Sequence, residues 1–255
     1  MKMKKGWKVW LGLSLSACLV WAMVACVPSG GNVNSQVVII GDSIFALSGE
    51  IHNELERLSG ERYRDYAVSG AQLDGGSFVT PIPDQYARAV RADGNIRTVI
   101  MDGGGNDVQV GARMSCSGGT VSAACRRELA PSLEAADALF AKMRRDGVEN
   151  IVYMNYFFIL DTSMRPAFLY MHDEMEKLVQ KHGGVLVEPM PIFNANPQYI
   201  GPDRIHPTDQ GSRVLANLIW DTLQAHCIEQ GPGCVPDVDN GNNGNDPDPG
   251  PIGCN

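Results

Sequence analysis

Short apolar runs alternate with longer amphipathic stretches through most of this chain. The run at 37–40, all Val and Ile, predicts a first β-strand. Residues 50–58 place Ile51, Leu55 and Leu58 on one face and predict a helix. A weaker second strand is expected at 64–68 and a third at 97–101. The strongest helical pattern is 128–145, where Leu133, Ala136, Leu139, Phe140 and Met143 form one stripe and Gly147 ends it. A fourth strand follows at 150–156, a helix at 167–182 closing at Gly183, a fifth strand at 184–187, and a last helix at 209–224. No internal repeat interrupts the series. Strands alternating with helices imply a three-layer α/β/α sandwich around a five-stranded parallel sheet.

Both ends depart from that pattern. Residues 1–8 carry four lysines and no acid, and the following stretch to Ala25 is apolar and small, so residues 1–25 read as an export signal. The run Met23-Val24-Ala25-Cys26 resembles a bacterial lipobox, whose cysteine is lipidated after cleavage. Leu15-Ser16-Ala17-Cys18 matches that consensus more closely, but cleavage there leaves an apolar stretch exposed, whereas Cys26 precedes a polar tether at 26–35. An ordinary cleaved signal or an uncleaved anchor is the alternative. A lipid at Cys26 anchors the protein to a membrane without crossing it. Val27, where Asp would retain such a lipoprotein at the inner membrane, favours the outer membrane, with the domain in the periplasm or, failing lipidation, secreted. The domain is expected at 36–228, and the Gly-, Pro-, Asn- and Asp-rich tail at 229–255 as disordered.

Charge and cysteines follow from export. Removing residues 1–25 moves the formal net charge from −8 to −12, which argues against nucleic-acid partners. Outside the cytosol the remaining cysteines read as disulfides. Cys116 and Cys125 bracket one short loop, Cys227 and Cys234 another, and local pairing is the simplest arrangement, with Cys254 left over. No histidine falls at a ligand spacing with these cysteines, and neither a metal nor a cofactor is expected.

The chemistry collects at strand ends. Gly41-Asp42-Ser43-Ile44 directly follows the first apolar run, Ser69-Gly70 the second, and Gly103-Gly104-Gly105-Asn106-Asp107 the third. In a parallel sheet these segments rise at one rim, where ligands bind. Asp203-Arg204-Ile205-His206-Pro207 precedes the last helix, from where a loop can return over that rim. Serine, histidine with a nearby carboxylate, and asparagine among glycines are the parts of nucleophilic acyl transfer. Taken singly, each has a bland reading: Ser43 as a helix cap, Asn106 as a loop former, His206 as a surface histidine. Asp42 and Asp107 are expected to make structural hydrogen bonds. His182-Gly183-Gly184 and His172-Asp173-Glu174 imitate lipase and zinc-protease motifs but lack their partner residues.

Together these segments resemble the SGNH (GDSL-type) hydrolase superfamily across nearly the whole domain. The matching motifs are Gly41-Asp42-Ser43-Ile44, Tyr66-Ala67-Val68-Ser69-Gly70-Ala71, Gly104-Gly105-Asn106-Asp107 and Asp203-Arg204-Ile205-His206-Pro207, with Ile44 where Leu is common. The resemblance implies a flavodoxin-like fold. It implies Ser43 as nucleophile, His206 as base and acid, and Asp203 as the group orienting the imidazole. It also implies an oxyanion hole from the Ser43 and Gly70 amides and the Asn106 side chain. The expected activity is hydrolysis of carboxylic esters, with small-molecule or glycan substrates and short acyl or O-acetyl groups favoured. An O-acyltransferase on envelope polysaccharide and a non-catalytic envelope binding protein are the alternatives. The loops at 72–86, 108–126 and 157–168 are expected to line the pocket, with Phe78, Pro81, Pro83 and 157–160 as candidate walls.

Overall fold

The computed structural model describes residues 32–76, 78–157 and 163–229. The expected signal segment with Cys18 and Cys26, the tail with Cys234 and Cys254, and residues 158–160 lie outside the described residues.

Among the described residues, five strands form one sheet: β1 (Asn32–Ile40), β2 (Glu61–Asp65), β3 (Thr98–Met101), β4 (Asn150–Met154) and β5 (Val185–Val187). Their order is β2-β1-β3-β4-β5, and every pairing is parallel. The second half of β1, β3 and β4 are buried on both faces, which is why they appear in the sequence as near-continuous apolar runs. Successive side chains still serve opposite layers. Val38, Ile40, Val99, Met101, Ile151 and Tyr153 join one core. Val37, Ile39, Ile100, Val152 and Met154 join the other.

Helices α3 (Ile82–Ala92), α5 (Ala123–Arg145) and α6 (Arg165–Lys181) cover the first core. Helices α1 (Ser43–Leu47), α2 (Gly49–Ser59), α7 (Met190–Ala195) and α8 (Asp209–Ala225) cover the second. A short α4 (Arg113–Cys116) completes the set. Leu215, Ile219 and Leu223 of α8 are fully buried, and each such side chain stabilises the packing by about 1.5–3 kcal/mol. Among the described residues no helix is long and apolar enough to cross a membrane.

Several boundaries differ from the sequence expectation. β1 begins at Asn32, inside the stretch expected as a tether. Its first half pairs with β2 through the backbone, and Asn34 Nδ2 donates to Glu61 Oε2 at 2.7 Å, so this strand segment carries no apolar signal. β2 lies at 61–65 rather than 64–68. As an edge strand it buries Tyr63 alone, and an apolar run is absent. α3 occupies part of the segment expected as a pocket loop. Pro81 and Pro83 sit at the start of this helix, where a missing N–H costs nothing. Cys116 and Cys125 are joined in a disulfide that ties α4 to α5. Cys227 is disulfide-bonded as well, and its expected partner Cys234 is outside the described residues.

Candidate active site

Ser43 stands at the carboxyl end of β1, beside the point where the strand order reverses between β1 and β3. Crevices at such points are the usual ligand sites of open α/β sheets. The chain must turn sharply there. Gly41 has φ +149°, and a Cβ on it would lie 1.9 Å from Asp102 Oδ1, so only glycine fits. Gln85 of α3 holds this turn from below. Its Oε1 accepts the Gly41 N–H at 2.8 Å, and its Nε2 donates to the Gly41 carbonyl at 2.9 Å. Asp42 then caps α1, accepting the Ile44 N–H at 3.1 Å.

His206 reaches Ser43 from the loop before α8. The Ser43 hydroxyl and His206 Nε2 are 2.8 Å apart, and His206 Nδ1 is 2.6 Å from Asp203 Oδ2. Nδ1–H donating to the carboxylate leaves Nε2 to accept from the serine, and this tautomer is the one that satisfies both contacts. Asp203 Oδ1 also accepts the Ile205 and His206 amides, each at 3.0 Å. This tight turn requires Arg204 at φ +67°, an uncommon position for a residue with a side chain. The Gly201 N–H donates to the His206 carbonyl at 2.7 Å and fixes the loop. Burial pushes the Asp203 carboxyl up, but the His206 ring and the two amides outweigh it and hold the group below the usual carboxylate range.

Behind the serine lies a second set of carboxyls, fully buried. Asp42 Oδ2 accepts the Tyr156 hydroxyl and the Asn106 amide, the latter at 3.3 Å. The Asp42 N–H donates to Asp102 Oδ1 at 2.7 Å. Burial, and then the charge of Asp42, raise Asp102 well above the carboxylate range. Burial also raises Asp42, while the Tyr156 and Ile44 hydrogen bonds oppose that rise. Asp107 accepts the Leu73 amide at 3.0 Å and the Asp74 amide at 3.3 Å, tying the rim after β2 to the rim after β3. Its burial pushes it up to about 6.

The three expected oxyanion donors are placed unequally. Among the described residues the Ser43 and Gly70 amides have no protein acceptor, whereas Asn106 Nδ2 is engaged, to Ala71 O at 3.1 Å as well as to Asp42. Gly70 is exposed. The Val68 N–H donates to the Gly41 carbonyl at 3.1 Å and brings the Ser69-Gly70 segment to the Ser43 turn. Ser43 and Asn106 line a cavity of about 10 Å³ with Gly105, Gln109, Tyr156 and Phe157. Ser43 and His206 line a second of about 90 Å³, with Ser48, Glu50, Asp209 and Ser212. Phe157 is thus a wall as expected, but Phe78, Pro81 and Pro83 line neither cavity. Phe78 is fully exposed, while Val79 packs against the first core.

Tyr156, Gln85 and Asp102 escaped the sequence reading. Asp102 follows β3 directly and Tyr156 lies just past β4 after Asn155, so the strand-end rule that found Ser43 and Asn106 could have flagged them. A Cβ on Gly105 would lie 2.5 Å from the Tyr156 ring, which explains a glycine at that position.

No family model matches the sequence, and no curated protein matches it either. Solved structures do match. A catalytic mutant of an acetylxylan esterase from Geobacillus stearothermophilus is 16% identical, covers 76% of this chain and 96% of its own, and superposes with a TM-score of 0.58. A provisionally assigned SGNH hydrolase from Slackia heliotrinireducens is 15% identical, covers 73% and 97%, with a TM-score of 0.54. A psychrotrophic esterase from a Pseudoalteromonas species, inhibited by monoethylphosphonate, is 13% identical, covers 74% and 97%, with a TM-score of 0.53. The chain has the α/β fold of the SGNH hydrolases.

Proposed function

We propose that the protein is a serine hydrolase of carboxylic esters, acting on short acyl or O-acetyl esters. The observation that carries this reading is the continuous contact from Asp203 through His206 to Ser43, at 2.6 and 2.8 Å, at the switch point of the sheet.

The steps follow from that contact. Ser43 Oγ attacks the ester carbonyl carbon as its proton passes to His206 Nε2, and the carbonyl π pair moves onto oxygen. Asp203, ionised, holds the ring and stabilises the imidazolium. The tetrahedral intermediate collapses, the bond to the alcohol oxygen breaks, and that oxygen takes the proton from His206. Water then repeats the sequence on the acyl-enzyme, releasing the acid and restoring Ser43. The Ser43 and Gly70 amides face no protein acceptor and suit the developing oxyanion. Asn106 joins them by exchanging its long contact to Asp42 for the oxyanion.

The cavity on the Asn106 side, at about 10 Å³, is about the size of one water, which fits the carbonyl oxygen that Asn106 and the rim amides receive. The acetylxylan esterase among the structural neighbours agrees with an O-acetyl substrate. The disulfide between Cys116 and Cys125 fits an oxidising compartment, and we place the enzyme outside the cytosol, held to a membrane through a lipid on Cys26.

Hydrolysis of p-nitrophenyl acetate, with slower turnover of octanoate and longer esters, is the expected result. Ser43→Ala should fold normally and lose about 10⁴-fold or more in kcat. Full activity in that variant would end the nucleophile assignment.

A further inference from the structure

The two cavities flanking Ser43 differ in size and in chemistry, and the direction of proton transfer tells which part of an ester each one holds. The oxyanion forms against Asn106 and the rim amides, so the carbonyl oxygen lies in the small cavity shared by Ser43 and Asn106. His206 must deliver its proton to the departing oxygen, so the alcohol lies within reach of Nε2. The larger cavity is the one lined by both Ser43 and His206. At about 90 Å³ it exceeds the Asn106-side cavity severalfold.

Its walls combine carboxylates, hydroxyls and a narrow apolar strip. Asp209, at the first position of α8, is exposed, and among the described residues its carboxylate has no hydrogen-bond or ion-pair partner. Glu50 Oε2 binds Arg213, with Nε at 3.1 Å and Nη2 at 3.0 Å, which cancels its charge and leaves Oε1 as an acceptor. Ser48 and Ser212 share a hydrogen bond at 2.7 Å on the cavity wall. Leu47, exposed, and Pro207 supply apolar surface beside these groups. Acceptors and hydroxyls around a small apolar surface suit a neutral ring that has hydroxyls on its edge and C–H groups on its face. The net charge left in the cleft is that of Asp209, which repels anionic alcohols.

We propose that this cleft is an alcohol-side subsite for a polyhydroxylated ring, a sugar unit, and that Asp209 is its specificity-determining residue. The proposal rests on the esterase reading and assigns the half of the substrate that reading leaves open. Asp209 accepts hydrogen bonds from ring hydroxyls of the leaving sugar, and Glu50 Oε1 takes a neighbouring hydroxyl. A ring of equal size without hydroxyls gains only the contacts to Leu47 and Pro207.

The test compares three acetate esters on the full chain: a methyl xyloside carrying one O-acetyl group, cyclohexyl acetate and acetylcholine. The xyloside ester should exceed cyclohexyl acetate in kcat/KM by about ten-fold or more, as expected when a charged acceptor loses its donors. Asp209→Ala should lower that ratio by about five-fold or more, mainly through KM, and Asp209→Asn, which keeps one acceptor oxygen, by less. Equal rates on the xyloside and cyclohexyl esters would overturn the subsite, and this comparison needs no variant. So would preference for acetylcholine, which would mark a cation site, or a ratio unmoved in Asp209→Ala. Any of these with p-nitrophenyl acetate still hydrolysed leaves the esterase reading intact. Failure on all four esters overturns both.

Discussion

Asp203 and Asp107 are both aspartates at one edge of one sheet, yet their surroundings assign them opposite tasks. Asp203 has half of its side chain in solvent and donors on both oxygens, and it is held ionised beside His206. Asp107 is 2% exposed, and burial pushes it up to about 6. The exposed carboxylate can stabilise a charge that comes and goes on an imidazole. The buried one exchanges its hydration for two backbone amides and joins two loops. Residue type alone does not separate a reacting carboxylate from a framework one. Solvent and hydrogen-bond donors do.

The contrast predicts separate failures. His206→Ala removes the proton acceptor and should cost about 10⁴–10⁶ in kcat while leaving the unfolding midpoint nearly unchanged. Asp203→Asn should cost less, about 10²–10⁴, measured on p-nitrophenyl acetate. A loss equal to that of His206→Ala would mean the carboxylate does more than hold the ring. Asn106→Ala should cost about 10²–10³ in kcat with KM little changed. A smaller loss would show that its hydrogen bonds to Asp42 and Ala71 are never released.

Asp107→Ala belongs to the other side of the contrast. It leaves the Leu73 and Asp74 amides without an acceptor, at about 1–3 kcal/mol for each amide left buried, and should appear as a lowered urea midpoint. Asp107→Asn isolates the smallest effect. Asp107 binds its proton more tightly in the folded protein than in the unfolded chain, so the stability it contributes is present below its ordinary value of 3.8. That contribution is lost as pH rises through about 6. The Asn variant lacks this slope. Urea midpoints from pH 4 to 7 should therefore fall more steeply in the parent than in the variant, and parallel curves would contradict the assignment.

Much of this was legible in the sequence, for a physical reason. The second half of β1, β3 and β4 are buried on both faces, so their apolar runs mark both strand and strand end, and Ser43 and Asn106 lie a few residues past the ends of β1 and β3. α5 carries its core stripe over many turns, and its pattern has no competitor. Where burial is partial, the pattern fails. β2 and the first half of β1 are held by backbone pairing at the sheet edge. α3 opens on two prolines that imitate a loop. Gln85 acts through a contact between distant elements, to Gly41, and no local spacing announces it. The turn holding Asp203 to His206 was the easiest piece to find, because both residues lie within one short motif.

The most direct measurement of the central claim is covalent trapping. The full chain is treated with a p-nitrophenyl alkylphosphonate, then digested, and the modified residue is located by mass spectrometry. One phosphonyl group should appear on Ser43, with release of one equivalent of nitrophenol, and His206→Ala should slow the reaction by orders of magnitude. Loss of ester hydrolysis with the phosphonyl group on any other residue, or full hydrolysis by a chain whose Ser43 is blocked, would contradict it.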